Sequence, residues 1–104
     1  MVGQMTQPLA SILAKLRELK PMLAREFGVA SISVFGSYAR GEQTESSDLD
    51  LLVDFLPGAR PTFFSLSKLE GRLSAALDLK VETVPRDGLN ARLEPYIRPD
   101  LVDA

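Results

Sequence analysis

Two stretches of the chain repeat apolar side chains every three or four residues, which is the spacing of an amphipathic α-helix. The first covers residues 9–27 and stops at Gly28, where we expect a left-handed turn. Pro21 interrupts it, so we expect either a kink or the start of a second segment there. The second stretch follows Thr62, which is expected to cap it. Its apolar side is predicted to be Phe63, Phe64, Leu66, Leu69, Leu73, Ala76 and Leu77.

Three shorter stretches predict β-strands, at Ala30–Phe35, at residues 48–54 and at Leu79–Val84. A further short helix is predicted within Leu89–Ile97, and the tail after Pro99 carries only a weak signal. The order helix, strand, turn, strand, helix, strand predicts one α/β (α+β) domain over residues 1–104. We expect a small mixed sheet of three or four strands, with helices packed mainly on one face.

The middle strand carries two carboxylates among apolar residues. Asp48 and Asp50 are two residues apart, so their side chains point to one face with Cα atoms roughly 6–7 Å apart. A buried unpaired charge is costly, and such carboxylates need an ion-pair partner or a metal. Arg40 or Lys80 could supply the pairing. Glu82, in the third predicted strand, is either a third ligand or a solvated residue on an edge strand.

Composition limits the chemistry that these carboxylates can support. The 104 residues include no cysteine and no histidine. A thiol nucleophile, a Cys/His zinc site and a Ser-His-Asp triad are therefore excluded within this chain. Any metal must bind through oxygen, which favours Mg²⁺, Mn²⁺ or Ca²⁺.

Charge and hydropathy limit the location and the partners. No apolar run is long enough to span a membrane, and the first residues lack the pattern of a signal peptide, so we expect a cytoplasmic protein without a membrane partner. The net charge of −2 gives no broad basic surface, which disfavours nucleic-acid binding.

A glycine-serine turn precedes the carboxylates. Gly36 and Ser37 end the first predicted strand, and ten residues separate them from Asp48. Glycine lets a backbone approach a phosphate closely, and the serine hydroxyl with the following amides can hold phosphate oxygens. Asp48 and Asp50 could then bind Mg²⁺ bridged to the same phosphates.

The run FGSYARGEQTESSDLDLLVDF closely resembles the nucleotidyltransferase superfamily that includes the DNA polymerase β palm and the aminoglycoside nucleotidyltransferases. Within that superfamily it looks like a minimal nucleotidyltransferase (MNT) domain, the antitoxin partner of HEPN-domain toxins. The family pattern is Gly-Ser, a spacer, Asp-x-Asp and a third carboxylate on a later strand. Gly36, Ser37, Asp48 and Asp50 match it residue by residue, and the resemblance covers nearly the whole chain.

The resemblance implies a transfer of AMP from ATP to a tyrosine hydroxyl of a HEPN toxin, with two Mg²⁺ ions held by Asp48, Asp50 and Glu82. Glu82 would also accept the proton of the hydroxyl. The family typically has Asp at this third position, and Glu is longer by one methylene. Glu82 in place of Asp would therefore affect catalytic turnover more than nucleotide binding.

The resemblance also implies that Gly36 and Ser37 hold the β- and γ-phosphates and that Arg40 neutralises triphosphate charge. Two other classes of function stay open beside the adenylylating enzyme. One is a catalytically weak or inactive antitoxin that masks the HEPN toxin by binding. The other is a small-molecule, aminoglycoside-type nucleotidyltransferase that acts as an oligomer.

Overall fold

The computed structural model describes residues 7–86 and 101–104. Helix α1 covers Leu9–Phe27 without a break, and Gly28 ends it in the left-handed conformation with φ 72°. The alternative of a second segment at Pro21 was therefore wrong. Pro21 is exposed, and Leu23 behind it is buried on the same apolar side as Ile12 and Leu16, so packing keeps the helix in one piece.

Four strands form one mixed sheet in the order β3-β2-β1-β4. Strand β1 (Val29–Phe35) pairs antiparallel with β2 (Leu49–Phe55), and β2 pairs parallel with β3 (Val81–Pro85). The two-residue strand β4 (Val102–Asp103) pairs antiparallel with β1 at the far edge. The weak pattern after Pro99 did not predict β4, and the helix predicted within Leu89–Ile97 lies outside the described residues.

The helices and the carboxylates lie on opposite faces of the sheet. Leu49, Leu51 and Val53 of β2 belong to one buried cluster. That cluster also holds Ile12, Leu16 and Leu23 of α1 and Leu69, Leu73 and Leu77 of α3, the helix that covers Phe63–Leu77. Because side chains alternate along a strand, Asp50 and Asp54 must face away from the helices. The predicted α/β fold, with a small mixed sheet and helices on one face, is confirmed.

Helix α3 starts with a reciprocal cap. The Thr62 hydroxyl accepts a hydrogen bond from the Ser65 amide (3.1 Å), and the Ser65 hydroxyl accepts one from the Thr62 amide (2.7 Å). The predicted apolar side is wrong at its first two positions, since Phe63 and Phe64 are 83% and 80% exposed. They precede the turn of the helix that first reaches the sheet, and the buried positions begin at Leu69.

Side chains of α3 also close the outer edge of β3. The Thr83 amide donates to Glu70 Oε2 (2.7 Å), and the Val81 amide donates to Ser74 Oγ (3.2 Å). These bonds hold β3 in register beside β2 and so fix the position of Glu82. In the part of the chain that the structure describes, no helix combines the length and the hydropathy that crossing a membrane requires.

Candidate active site

Gly36 allows the end of β1 to approach the carboxylate of Asp50. The register places Phe35 opposite Asp50, and Gly36 has φ 78° and ψ −152°. Few residues other than glycine adopt this conformation. A Cβ at this position would overlap Asp50 Oδ2. The glycine is therefore required twice, once by its backbone angles and once by the neighbouring carboxylate.

The turn after Gly36 is a short helix, α2 (Ser37–Arg40). Its ends are fixed by backbone bonds from the Arg40 amide to the Gly36 carbonyl (3.2 Å) and from the Glu42 amide to the Ser37 carbonyl (2.8 Å). Tyr38 anchors the turn in the core at 1% exposure. Its burial, and secondly the charge of Asp48, raise the pKa of its hydroxyl.

Asp50 and Glu82 lie side by side across the parallel pair of strands. The register pairs the two residues directly, so their side chains share the face opposite the helices. Burial first, and then the charges of Glu82 and Asp48, raise the pKa of Asp50 to about 6, against a lowering effect of Arg40. A hydrogen bond with Glu82 favours the protonated form of Asp50 as well. Among the described residues, three carboxylates thus act on one another here, and Arg40 partly offsets their charge.

Asp48 lies just before β2 and forms an ion pair with Lys80. Its Oδ2 is 3.8 Å from Lys80 Nζ, and the two side chains are 31% and 74% exposed. An ion pair that is this long and this exposed contributes little stability. Among the described residues, no three acidic side chains are gathered into a complete metal cage. The structure therefore brings Asp50 and Glu82 together and leaves Asp48 beside them, close enough to raise the pKa of Asp50.

The donors present suit a hard divalent cation. All are carboxylate oxygens, which Mg²⁺ prefers, and magnesium is commonly held by one or two carboxylates while its remaining positions go to substrate phosphates. The raised pKa of Asp50 has like charges among its causes. A cation at this position would relieve that repulsion, so the residues present fit the metal that the family resemblance implies.

Arg40 lies at the end of α2 and is exposed. Its Nε donates to Glu42 Oε1 at 2.8 Å. It still acts electrostatically on Asp50, whose pKa it lowers. Of the predicted phosphate-binding residues, Gly36 adjoins the carboxylate of Asp50, Ser37 follows it as the first residue of α2, and Arg40 lies one helical turn further on.

The loop between α2 and β2 forms a compact turn ahead of Asp48. Thr44 and Ser47 close it on themselves, with the Thr44 amide donating to Ser47 Oγ (2.9 Å) and the Ser47 amide to the Thr44 carbonyl (3.0 Å). A shallow cavity of about 480 Å³ is lined by Gln43, Thr44, Glu45 and Ser46. The run of small hydroxyl residues in Thr44–Ser47 was the available signal for a self-closed turn ahead of Asp48.

Known proteins resemble this chain over most of its length. The sequence profile of the nucleotidyltransferase domain family matches residues 16–104. A protein named protein adenylyltransferase MntA, from Thermococcus cleftensis, is 40% identical over 83 residues, which cover 80% of this chain and 82% of that protein. A candidate protein adenylyltransferase from Methanocaldococcus jannaschii, MJ1379, is 38% identical over 93 residues, which cover 89% of this chain and 90% of the relative.

Solved structures agree with this fold. A candidate minimal nucleotidyltransferase superposes with a TM-score of 0.76 at 34% identity, over 94% of this chain and 97% of that one. A toxin-antitoxin complex with AMP-PNP gives 0.62 at 28% identity, over 78% of this chain and 64% of that one. A complex of a tri-AMPylated Shewanella oneidensis HEPN toxin with its MNT antitoxin shares the fold, with a TM-score of 0.58 at 21% identity over 91% and 66%. The chain therefore belongs to the nucleotidyltransferase domain family and is a nucleotidyltransferase of the minimal type.

Proposed function

We propose that this chain uses ATP and Mg²⁺ to transfer AMP to a tyrosine hydroxyl of a HEPN-domain toxin, and so acts as its antitoxin. The observation that carries the proposal is the juxtaposition of Asp50 and Glu82 next to the Gly36–Ser37 turn. The names of the relatives support protein as the acceptor, and the complexes of related folds support a toxin partner and a nucleotide.

Asp48, Asp50 and Glu82 are the residues that would hold the magnesium. When bound, Mg²⁺ neutralises charge on the triphosphate and activates the attacking oxygen. Asp50 is suited to this role because repulsion from Glu82 and Asp48 gives its carboxylate a strong electrostatic preference for a cation. Asp48 needs only to exchange its exposed contact with Lys80 for the metal, which costs little since that ion pair is long and solvated.

Gly36 and Ser37 would bind the outer phosphates of ATP. The first amides of α2 have no acceptors within the helix, so they can donate to phosphate oxygens together with the Ser37 hydroxyl. Because Tyr38 fixes the turn in the core, these donors are held in place before the nucleotide arrives. Arg40 would exchange its surface bond with Glu42 for a phosphate contact and supply one positive charge.

Glu82 is the residue proposed to accept the proton. In the reaction, a tyrosine oxygen forms a bond to the α-phosphorus, the bond from the α-phosphorus to the bridging oxygen breaks, and pyrophosphate leaves. The hydroxyl proton moves to Glu82 Oε. Glu82 is exposed and belongs to a strand whose outer edge is tied to α3, so an acceptor brought from outside meets a carboxylate in a fixed place.

Intact-mass spectrometry of a HEPN-domain partner, incubated with this chain, ATP and Mg²⁺, tests the proposal. We expect mass increments of one or more AMP groups on the partner. The increments should disappear with the Asp48→Asn/Asp50→Asn variant and persist with Asp54→Asn, which removes a carboxylate from the same strand and face outside the proposed site. Absence of any increment with the unaltered chain would refute the transfer.

A second candidate function is neutralisation of the toxin by binding alone. It is favoured by Glu82, where the family typically has Asp, and by the contact of Asp48 with Lys80 rather than with its neighbours. A stable complex that forms without AMP transfer, and that protects equally well with Asp48→Asn, would support it. Recovery of transfer in Glu82→Asp would then identify the extra methylene as the defect.

A further inference from the structure

Two adjacent phenylalanines stand exposed at the start of α3. Phe63 and Phe64 are 83% and 80% exposed, and Leu56 in the preceding loop is 42% exposed. Among residues 7–86 and 101–104 these are the large apolar side chains with high exposure. We call Phe63 and Phe64 the phenylalanine patch. Exposed aromatic clusters of this kind usually mark an interaction site.

The patch is displayed on a rigid base. Thr62 and Ser65 cap the helix reciprocally, directly around the two phenylalanines. Behind them, α3 is held in the core by Leu69 and Leu73 and bound to β3 through Glu70. A preformed surface loses little conformational freedom on binding, which favours its use as an anchor for a partner.

The area of the patch suits an anchor of a complex rather than a full interface. A covered phenylalanine buries about 150–250 Å², so two phenylalanines at this exposure offer roughly 250–400 Å². One partner in a standard interface buries about 800 Å². The patch is therefore too small for the core of an obligate dimer but large enough for the aromatic centre of a heterologous complex.

The charges around the patch point to an acidic partner. Residues 55–69 include Arg60 and Lys68 and no carboxylate. The carboxylates on either side of this segment are engaged, Asp54 with Arg86 at 3.9 Å and Glu70 with Thr83. A second copy placed by twofold symmetry would bring like charges together, which disfavours self-association. A membrane would meet only two cations, short of the clusters of about four to eight that bind acidic lipids.

We propose that the phenylalanine patch is the docking surface for the acceptor protein, which binds it with an apolar groove rimmed by carboxylates. This inference rests on the proposed function. Leu56 directly follows β2, whereas Asp50 is the second residue of that strand, so these two residues lie roughly 20 Å apart along the sheet. Phe63 and Phe64 begin α3, which packs on the face of the sheet opposite the carboxylates. A folded acceptor domain is wider than that distance, so an acceptor docked at the patch reaches around the edge of the sheet to present its hydroxyl to the carboxylates.

The test uses the full chain with Phe63→Ser/Phe64→Ser, which alters only exposed positions. We expect the Kd for the HEPN partner, measured by calorimetry without nucleotide, and the KM for AMP transfer to rise ~30-fold or more. The kcat at saturating partner should stay unchanged, because the carboxylates are untouched. Phe63→Leu/Phe64→Leu retains apolar area and should recover most of the affinity.

Charge reversal tests the carboxylate rim. Arg60→Glu/Lys68→Glu should weaken partner binding, with an effect that shrinks as salt is raised. The matched control is Lys15→Glu/Arg17→Glu, which makes the same charge change at exposed positions of α1 and should leave the affinity unaltered.

Several results would overturn the docking surface. Unchanged Kd and KM in the serine variant would do so. Two other losses in the serine variant, at unchanged partner affinity, would also overturn it. Loss of binding to phosphatidylcholine vesicles that contain phosphatidylserine would identify a membrane as the occupant of the patch. Loss of a concentration-dependent dimer would identify a second copy of this chain. If the unaltered chain binds the partner through the patch but transfers no AMP, the proposed transfer fails and the docking surface stands. If it transfers AMP and the serine variant behaves identically, only the docking surface fails.

Discussion

Replacing Asp50 by Asn should make the metal-free protein more stable at pH 7.5. Asp50 is a partly buried carboxylate whose pKa is raised to about 6 by burial and by the charges of Glu82 and Asp48. A raised folded-state pKa means that the folded state holds its proton at pH values where the unfolded chain has lost it. The folded state therefore loses stability as the pH rises from about 4 to about 6, and the loss is complete above that range.

The size of this effect follows from the shift. From the ordinary value of 3.8 to about 6 is roughly two pKa units, or about 3 kcal/mol at 1.36 kcal/mol per unit. Asp50 is only partly buried, and solvent screening reduces the recoverable part to about 1–2 kcal/mol. For a domain of this size that corresponds to a rise in Tm of about 5–10 °C. Asn keeps the shape of Asp and can donate a hydrogen bond to Glu82.

Thermal unfolding in EDTA, followed by circular dichroism at pH 7.5 and at pH 4, measures the prediction. The Asn variant should melt higher at pH 7.5 and equally at pH 4, where Asp50 is already neutral in the folded protein. Asp54→Asn is the matched control, and it should be neutral or slightly destabilising because it loses its contact with Arg86. An Asp50→Asn variant that gains nothing at pH 7.5, or gains as much at pH 4, would refute the reasoning.

Three further outcomes follow from the same geometry. Gly36→Ala should lower the stability by about 1–3 kcal/mol, because a Cβ meets the Asp50 carboxylate at a left-handed φ. It should also reduce AMP transfer ~100-fold, since the added methyl displaces that carboxylate; transfer assays and melting curves check both. Glu82→Gln should lower the pKa of the Asp50 carboxyl in the metal-free protein, since it removes one of the like charges that raise this pKa; an NMR titration of that carboxyl in EDTA that shows no downward shift would contradict the coupling. Thr62→Ala should cost about 1 kcal/mol, a fall in Tm of about 4–8 °C, whereas Thr62→Ser should retain the cap.

The site was predictable from the sequence to the extent that local chemistry fixes it. Gly36 needs an unusual backbone conformation, and the carboxylates at Asp48 and Asp50 interrupt an apolar strand, so both stand out without a structure. The pairing of Glu82 with Asp50 was harder to predict. The two residues lie on parallel strands connected by α3, and the sequence pattern gives the length of that helix only approximately. The contact of Asp48 with Lys80 depends on how β3 enters the sheet, and the sequence offered it only as one of two options.

In the fold, too, local features were predictable from the sequence and those that depend on tertiary packing were not. Strong periodicity predicted α1 and α3, and Gly28 and Thr62 marked an end and a start that the structure confirms. Pro21 was a poor guide because the apolar contacts of Leu23 hold the helix together beyond it. At Phe63 and Phe64 the rule that apolar residues lie inside failed, since the first turn of α3 precedes its contact with the sheet.

The most direct test of the central claim is the number of AMP groups transferred per molecule of this chain. The HEPN partner would be supplied in large excess with ATP and Mg²⁺, and AMP on the partner would be counted by intact mass over time. An enzyme should modify many partner molecules per copy, and Asp48→Asn/Asp50→Asn should modify none. Partner that is neutralised only up to one equivalent of this chain, with no added AMP, would contradict the account and identify a masking antitoxin.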